Sequence, residues 1–309
     1  MTDLKNVFWA CALDEDNQDI FAFEWEDPHS GQKQQHWWTI LPQGFTDSPN
    51  LFGQILEQVL EKVVIPEQIC LLPYVDDILI PGEDTEKVTD FSTHILNHLQ
   101  FEGLWVSKRK LQYVEPEVKY LGHLISAGKW RIGPEQIEGI LSLPLPQTKQ
   151  ELGKFLGLVG YCHLWIDSYA LHSKLLYQKL AQEKPNHLLW TSEEVDQVEK
   201  LKERLITAPV LALPSLEKPF HLFVNVDSGV ALGVLTQEHR HRQQPVAFLS
   251  KVLDPVTCGW PQCIQSIAPT AILVEESRKL TFGGKLTVST PHRVRTTRAV
   301  SYTHLTLPT

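Results

Sequence analysis

No apolar run in this chain approaches the roughly 20 residues that a membrane-spanning helix needs. The N-terminus also lacks the basic-then-apolar pattern of a secretory leader, so neither a membrane partner nor export is expected. Cysteine is scarce: Cys11, Cys70, Cys162, Cys258 and Cys263 are odd in number and show no zinc-site spacing. A disulfide framework and a zinc module are therefore not expected, and a reducing compartment, such as the cytoplasm, is the default. No internal repeat is visible, which excludes solenoid architectures. Positive charge is also in deficit. The formal net charge of −9 is opposite to that of most nucleic-acid binders, unless basic residues gather locally.

They do gather. Ser107-Lys108-Arg109-Lys110 is followed by Lys119, Lys129 and Arg131. A second group comprises Arg278, Lys279, Lys285, Arg293, Arg295 and Arg298, and reads as a solvated face. The acids concentrate in predicted helices, for example Glu193, Glu194, Asp196, Glu199 and Glu203. With 309 residues, 42% hydrophobic and 21% charged, the chain has the composition of an ordinary globular protein of two or three domains.

Periodicity predicts an α+β order. Residues 3–13 read as a strand, Phe21-Ala22-Phe23-Glu24-Trp25 as a half-buried one, and residues 37–40 as its partner. Ser48 is a candidate N-cap with Pro49 after it, and Leu51, Phe52, Ile55, Leu56, Val59, Leu60 and Val63 recur at helical spacing. A second helix carries Val88, Phe91, Ile95 and Leu99 and can end at Gly103. His94 and His98 lie four apart on it, but the glutamate of a zinc-protease motif is missing, so they read as ordinary helix-face histidines. Strands are expected at residues 111–114 and 119–125. Helices follow at 147–159, 168–182 and 191–206, the last opening on the capping box Thr191-Ser192-Glu193-Glu194. Residues 208–215 read as a linker, then 221–226, 233–236 and 245–249 as strands and 264–280 as a helix.

One stretch resists a purely structural reading. Leu71-Leu72-Pro73-Tyr74-Val75-Asp76-Asp77-Ile78-Leu79-Ile80 is a hairpin pattern with two adjacent acids at or beside its turn. Tight hairpin turns favour Asn-Gly or Asp-Gly, because positive φ is needed there. Asp-Asp adds charge repulsion instead. Asp can simply be a solvated turn residue, or the pair can help hold divalent cations, whose preferred ligands are hard carboxylate oxygens.

Four features line up along the chain: Asp3-Leu4-Lys5, Leu41-Pro42-Gln43-Gly44-Phe45, Tyr74-Val75-Asp76-Asp77, and Lys108-Arg109-Lys110 leading to Tyr120-Leu121-Gly122. In this order they resemble the palm of retroviral reverse transcriptases, above all those of gammaretroviruses and related endogenous elements. The resemblance extends through Phe155-Leu156-Gly157 and Gly160-Tyr161-Cys162, which are thumb-like. It continues through Lys218-Pro219-Phe220, Gly233-Val234-Leu235-Thr236-Gln237 and Pro245-Val246-Ala247-Phe248, which are connection-like. It implies a palm over 1–133 with mostly antiparallel sheet and helices on one face, a helical thumb over 134–207, and an RNase H-like connection over 216–290. The remaining 291–309 form a tail, of which 301–309 do not match the family.

The function implied is RNA-directed DNA polymerisation, an in-line phosphoryl transfer onto a primer 3′-hydroxyl supported by two Mg²⁺ or Mn²⁺ ions. By resemblance Asp3, Asp76 and Asp77 are the catalytic, metal-binding acids. Phe8 excludes a ribose 2′-hydroxyl, Gln43 and Gly44 lie along the incoming nucleotide, and Lys110 lies near the pyrophosphate. Tyr74 and Val75 meet the primer end, and Leu121 and Gly122 grip the primer. The partners implied are an RNA or DNA template with its primer, deoxynucleoside triphosphates and other segments of a parent polyprotein, in the cytoplasm or a virus-like particle.

Several positions depart from the family pattern. Only two residues precede Asp3, so the fingers are expected to be missing and the isolated chain to be weak or inactive. Pro73 stands where Gln is usual, Asn6 where an acid is usual, and Gly153 inside a thumb helix. Asn225 stands where many nuclease relatives carry an acid, with Asp227 nearby. Two alternatives therefore stand beside the polymerase: a non-catalytic nucleic-acid-binding or assembly remnant, and an RNA–DNA hybrid nuclease belonging to the parent polyprotein.

Overall fold

The computed structural model describes residues 1–182, 187–254 and 267–290. Cys258, Cys263, Arg293, Arg295, Arg298 and the 291–309 tail lie outside the described residues. Two compact units are present, Met1–Leu121 and Gly122–Thr309.

The first unit is built on an antiparallel sheet of order β4-β5-β1-β6, formed by β1 (Thr2–Lys5), β4 (Leu72–Tyr74), β5 (Asp77–Leu79) and β6 (Trp105–Val106). β1 ends sooner than its apolar composition predicts. Asn6 takes a left-handed φ of 55°, a conformation that Asn tolerates better than most residues, and Val7–Ala10 then coil into a 3₁₀ turn that precedes the short helix α1 (Glu15–Gln18). Strand alternation does the rest. Thr2 and Leu4 are buried on one face of β1, which leaves Asp3 and Lys5 on the other. The buried face packs under α2 (Ser48–Leu60) and α3 (Thr85–Phe101), where Leu4, Phe52, Leu56, Ile78, Phe91, Ile95 and Leu99 form one core. Asp84 caps α3 through the amides of Glu86 and Lys87, and Gly103 leaves it at φ 81°. Asp47 rather than Ser48 precedes α2. Ser48 is buried, and its hydroxyl donates to the Pro42 carbonyl at 2.9 Å.

A separate hairpin pairs β2 (Ala22–Glu26) with β3 (Lys33–Trp37), four residues earlier than expected for the second strand and mostly exposed rather than half-buried. No strand forms at 111–114. Val114 has φ 51°, and the Gln112 carboxamide instead bonds the backbone of Lys119. The predicted strand over 119–125 is two, β7 (Glu117–Tyr120) and β8 (His123–Ser126), joined by a turn in which Leu121 (φ 48°) and Gly122 (φ 78°) both take positive φ.

In the second unit β8 pairs with β9 (Lys129–Ile132), and β9 with β10 (Leu211–Ala212). The expected linker thus contains a strand, because Leu211 is fully buried in the core. Helices α4 (Pro134–Leu141), α5 (Lys149–Tyr161), α6 (Tyr169–Ala181) and α7 (Ser192–Ile206) enclose Ile140, Leu152, Phe155, Val159, Trp165, Leu176, Val198 and Leu201. The Thr191–Glu194 capping box opens α7 as its sequence predicts. A second sheet has the order β13-β12-β11-β14, from β11 (Phe220–Asp227), β12 (Val230–His239), β13 (Arg242–Val252) and β14 (Leu286–Ser289), with β14 parallel to β11. These strands outrun their predicted lengths, since cross-strand pairing carries polar residues that apolar alternation alone does not include. Helix α8 (Ile267–Thr281) lies against this sheet so closely that a Cβ at Gly233 would stand 2.9 Å from Leu273 Cδ1.

Candidate active site

The acidic hairpin closes with Tyr74 paired to Asp77, leaving Val75-Asp76 as the two-residue loop. The positive φ a tight hairpin needs falls on Val75, at 51°. A β-branched residue there is an outlier, of a kind that costs on the order of 1–3 kcal/mol and concentrates at functional sites. The adjacent acids therefore do not sit at the strained position. Their placement is set by pairing, and the strain is displaced onto their neighbour. Pro73 fits because β4 is the edge strand of the sheet, where a missing N–H disturbs no central ladder.

Pairing of β1 with β5 sets Asp3 directly opposite Asp77. The Leu4 amide donates to the Asp76 carbonyl at 2.7 Å, and the Ser107 amide donates to the Asp3 carbonyl at 2.8 Å. Asp3 is thus locked between two strands, its side chain only 13% exposed. The Lys110 ammonium donates to Asp3 Oδ2 at 2.9 Å, and this bond holds its pKa above the ordinary lysine value. Burial, followed by the charges of Asp76 and Asp3, raises the pKa of Asp77, and Lys110 offsets only part of that. Asp3, Asp76 and Lys110 line one cavity of about 1240 Å³.

That cavity also contains residues that motif reading passed over. Trp9 and Trp105 share the lining with Lys5, Asn6, Lys108 and Arg109. Lys5 and Trp105 are cross-strand partners, so the signal was register, which no single strand reveals. Tyr120, part of the Tyr120-Leu121-Gly122 motif but given no role there, also feels the acids. Burial first, then the charges of Asp77 and Tyr74, push its hydroxyl pKa up.

The other predicted residues are spread more widely. Phe8 sits in the 3₁₀ turn, half-buried, its ring edge-on to Phe52 at 6.1 Å and outside the cavity lining. Gln43 and Gly44 form an exposed turn before α2, with Gly44 at φ 100°. Tyr74 is 56% exposed beside the acids, and Val75 carries the hairpin's strain. Leu121 ends the first unit and Gly122 begins the second. His98 bonds the Val59 carbonyl at 2.8 Å, in keeping with a structural histidine. Asn225 and Asp227 are exposed near the end of β11.

Among the described residues no three His, Cys, Asp or Glu side chains are gathered tightly enough to hold a metal ion unaided. The donor chemistry of the acidic corner nonetheless fits a divalent cation. Hard carboxylate oxygens come from two strands, and a cationic ammonium already rests on one of them. Mg²⁺ in particular is usually held by one or two carboxylates and completed by water and substrate phosphates.

Comparison with known proteins finds similar sequences and folds. The family described as reverse transcriptase (RNA-dependent DNA polymerase) matches residues 1–125, and the RNase H-like domain found in reverse transcriptase matches residues 190–288. The chain is 42% identical over 292 residues to the Pol polyprotein of Feline endogenous virus ECE1, covering 94% of the chain and 28% of that protein. It is equally identical, over the same length, to the Gag-Pol polyprotein of Baboon endogenous virus (strain M7), of which it covers 17%. The chain therefore spans less than a third of either relative. Among solved structures, a foamy viral protease-reverse transcriptase in complex with double-stranded DNA superposes with a TM-score of 0.83 at 27% identity, covering 94% of this chain and 49% of that one. The same viral enzyme in complex with an RNA/DNA hybrid gives 0.80, with 38% of its chain covered. The fold is that of an α+β polymerase, and the chain is similar, over nearly its whole length, to a stretch of endogenous-retroviral Pol polyproteins, with one region matching the reverse transcriptase family and another its RNase H-like domain.

Proposed function

We propose that this chain carries the nucleotidyl-transfer site of an RNA-directed DNA polymerase. The observation that carries the reading is the pairing of Asp3 with the strained Val75-Asp76-Asp77 hairpin, Lys110 reaching the same corner. Asp3 and Asp76 would hold the divalent cations, Mg²⁺ or Mn²⁺, with Asp77 the third acid. Bound there, two ions would neutralise the charge that develops on the entering and leaving oxygens. The protein's own contribution is positioning: β1 and β5 fix the carboxylates from both sides, and Lys110 offers a cation to a departing pyrophosphate.

The remaining roles follow the family resemblance. Phe8 discriminates against ribonucleotides, Gln43 and Gly44 border the incoming deoxynucleoside triphosphate, and Tyr74 and Val75 meet the primer end. Leu121 and Gly122 form the primer grip. The segments 134–207 and 216–290 act as thumb and connection toward a primer–template of RNA or DNA. Other segments of the parent polyprotein complete the enzyme.

Primer extension tests this, run with Mg²⁺ on the chain itself and on a longer polyprotein segment containing it. Asp76→Asn, which removes charge but little volume, should abolish extension by the longer segment without altering its circular dichroism. Persistent extension would remove Asp76 from catalysis. A longer segment that binds primer–template but never extends it would establish the non-catalytic alternative.

A further inference from the structure

A second cavity, of about 570 Å³, lies within the second unit between α6, the end of β13 and α8, and belongs to no part of the proposed polymerase site. Its volume falls within the range of about 300–1,000 Å³ typical of small-molecule sites. One wall is aromatic. Tyr169 and Tyr177, two turns apart on α6, join their hydroxyls at 3.1 Å. Burial, then the Tyr177 hydroxyl, holds the Tyr169 pKa far above the ordinary phenol range. Val252 adds apolar surface to the lining.

The polar groups are unbalanced toward donors. Among the described residues Lys174 Nζ reaches the Ser228 carbonyl, at 3.3 Å. Lys251 Nζ reaches Glu276 Oε1 at 3.3 Å, and Glu276 is shared with Lys279 at 3.4 Å. Each ammonium has three N–H groups, so both lysines retain donor capacity beyond these bonds. Among the described residues Glu276 is the one acid lining the cavity, against Lys174 and Lys251. A flat ring has a surface to lie on, and an anion has two cations to meet.

We infer that this cavity binds a small planar aromatic anion, its ring against Tyr169 and Tyr177 and its carboxylate or phosphate between Lys174 and Lys251. Such a ligand would tie α6 to β13 and α8. It offers a way to restrain these elements that is independent of the acidic site.

The test is calorimetric titration of the chain with naphthalene-2-carboxylate and with its neutral counterpart, naphthalene-2-methanol. The carboxylate should bind at least about tenfold more tightly, which corresponds to about 1.4 kcal/mol. Lys174→Met and Lys251→Met, which keep most of the apolar stem, should each weaken carboxylate binding several-fold and leave the alcohol unchanged. Glu276→Gln releases Lys251 from its partner and should tighten carboxylate binding, an effect that a merely structural role would not produce. Equal affinity for the two probes, indifference of the carboxylate to both lysine substitutions, or no binding at millimolar concentrations would each overturn the proposal.

Discussion

Replacing Asp77 by Asn should make the protein more stable while removing an acid from the proposed site. Asp77 lies directly opposite Asp3 in the β1–β5 ladder, with Asp76 beside it. Cross-strand pairs contribute on the order of 0.2–1 kcal/mol, and like charges directly opposite are destabilising. The pKa of Asp77 is raised first by burial and then by those two charges. The folded state therefore keeps the Asp77 proton to a higher pH than the unfolded chain, whose value is near 3.9. Between the two values the native state binds more protons, so stability falls as pH rises through that window. The cost is complete above the folded pKa and absent below the unfolded one. Asp77→Asn should thus raise the unfolding free energy by about 0.2–1 kcal/mol at pH 7 and by nothing at pH 3. Urea denaturation at both pH values, followed by tryptophan fluorescence, measures the difference. Mg²⁺ at ten times its dissociation constant should add about 1.4 kcal/mol to the unsubstituted protein and close the gap. A variant less stable than the parent at pH 7, or one with an undiminished gain at pH 3, would refute the reasoning.

Other outcomes are equally specific. Gly153 lies inside α5 with open space where a Cβ would stand, so Gly153→Ala should stabilise by about 1 kcal/mol in thermal or urea unfolding. Thr191→Ala removes the hydroxyl of the α7 capping box and should cost about 0.5–2 kcal/mol in the same assay. Phe8→Val should relax discrimination between ribo- and deoxynucleotides in an extending polyprotein segment. A change confined to stability would instead assign Phe8 to its contact with Phe52. Val75→Gly relieves the positive φ but frees the loop, so primer extension should fall while the unfolding midpoint changes little.

Much of the fold was legible because local signals and tertiary needs agreed. Helices α2, α3, α5 and α7 carry apolar residues at helical spacing, with a recognisable start at Thr191, whereas the Asp84 cap of α3 emerged only in the structure. Reading failed where a side chain or an unusual φ replaced periodicity. Asn6 ended β1 early, Val114 and Gln112 removed a strand, and Leu211 turned a proline-flanked linker into one. Strand lengths in the second sheet were underestimated, because pairing with a neighbour extends a strand beyond its apolar run.

At the acidic site the division is sharper. The sequence by itself determined the kinds of group available: three carboxylates in two separated segments, a lysine in a basic run, and a hairpin between apolar strands. Their order along the chain carried the family resemblance. Only the tertiary structure decided which of them meet. Register sets Asp3 against Asp77, and a one-residue slip of β1 would turn Asp3 into the core and Leu4 out. The same register brings Trp105 beside Lys5 and Lys110 onto Asp3, from positions about a hundred residues away. It also moved the turn's strain from the acids to Val75, since a hairpin's positive φ goes where pairing closes the loop.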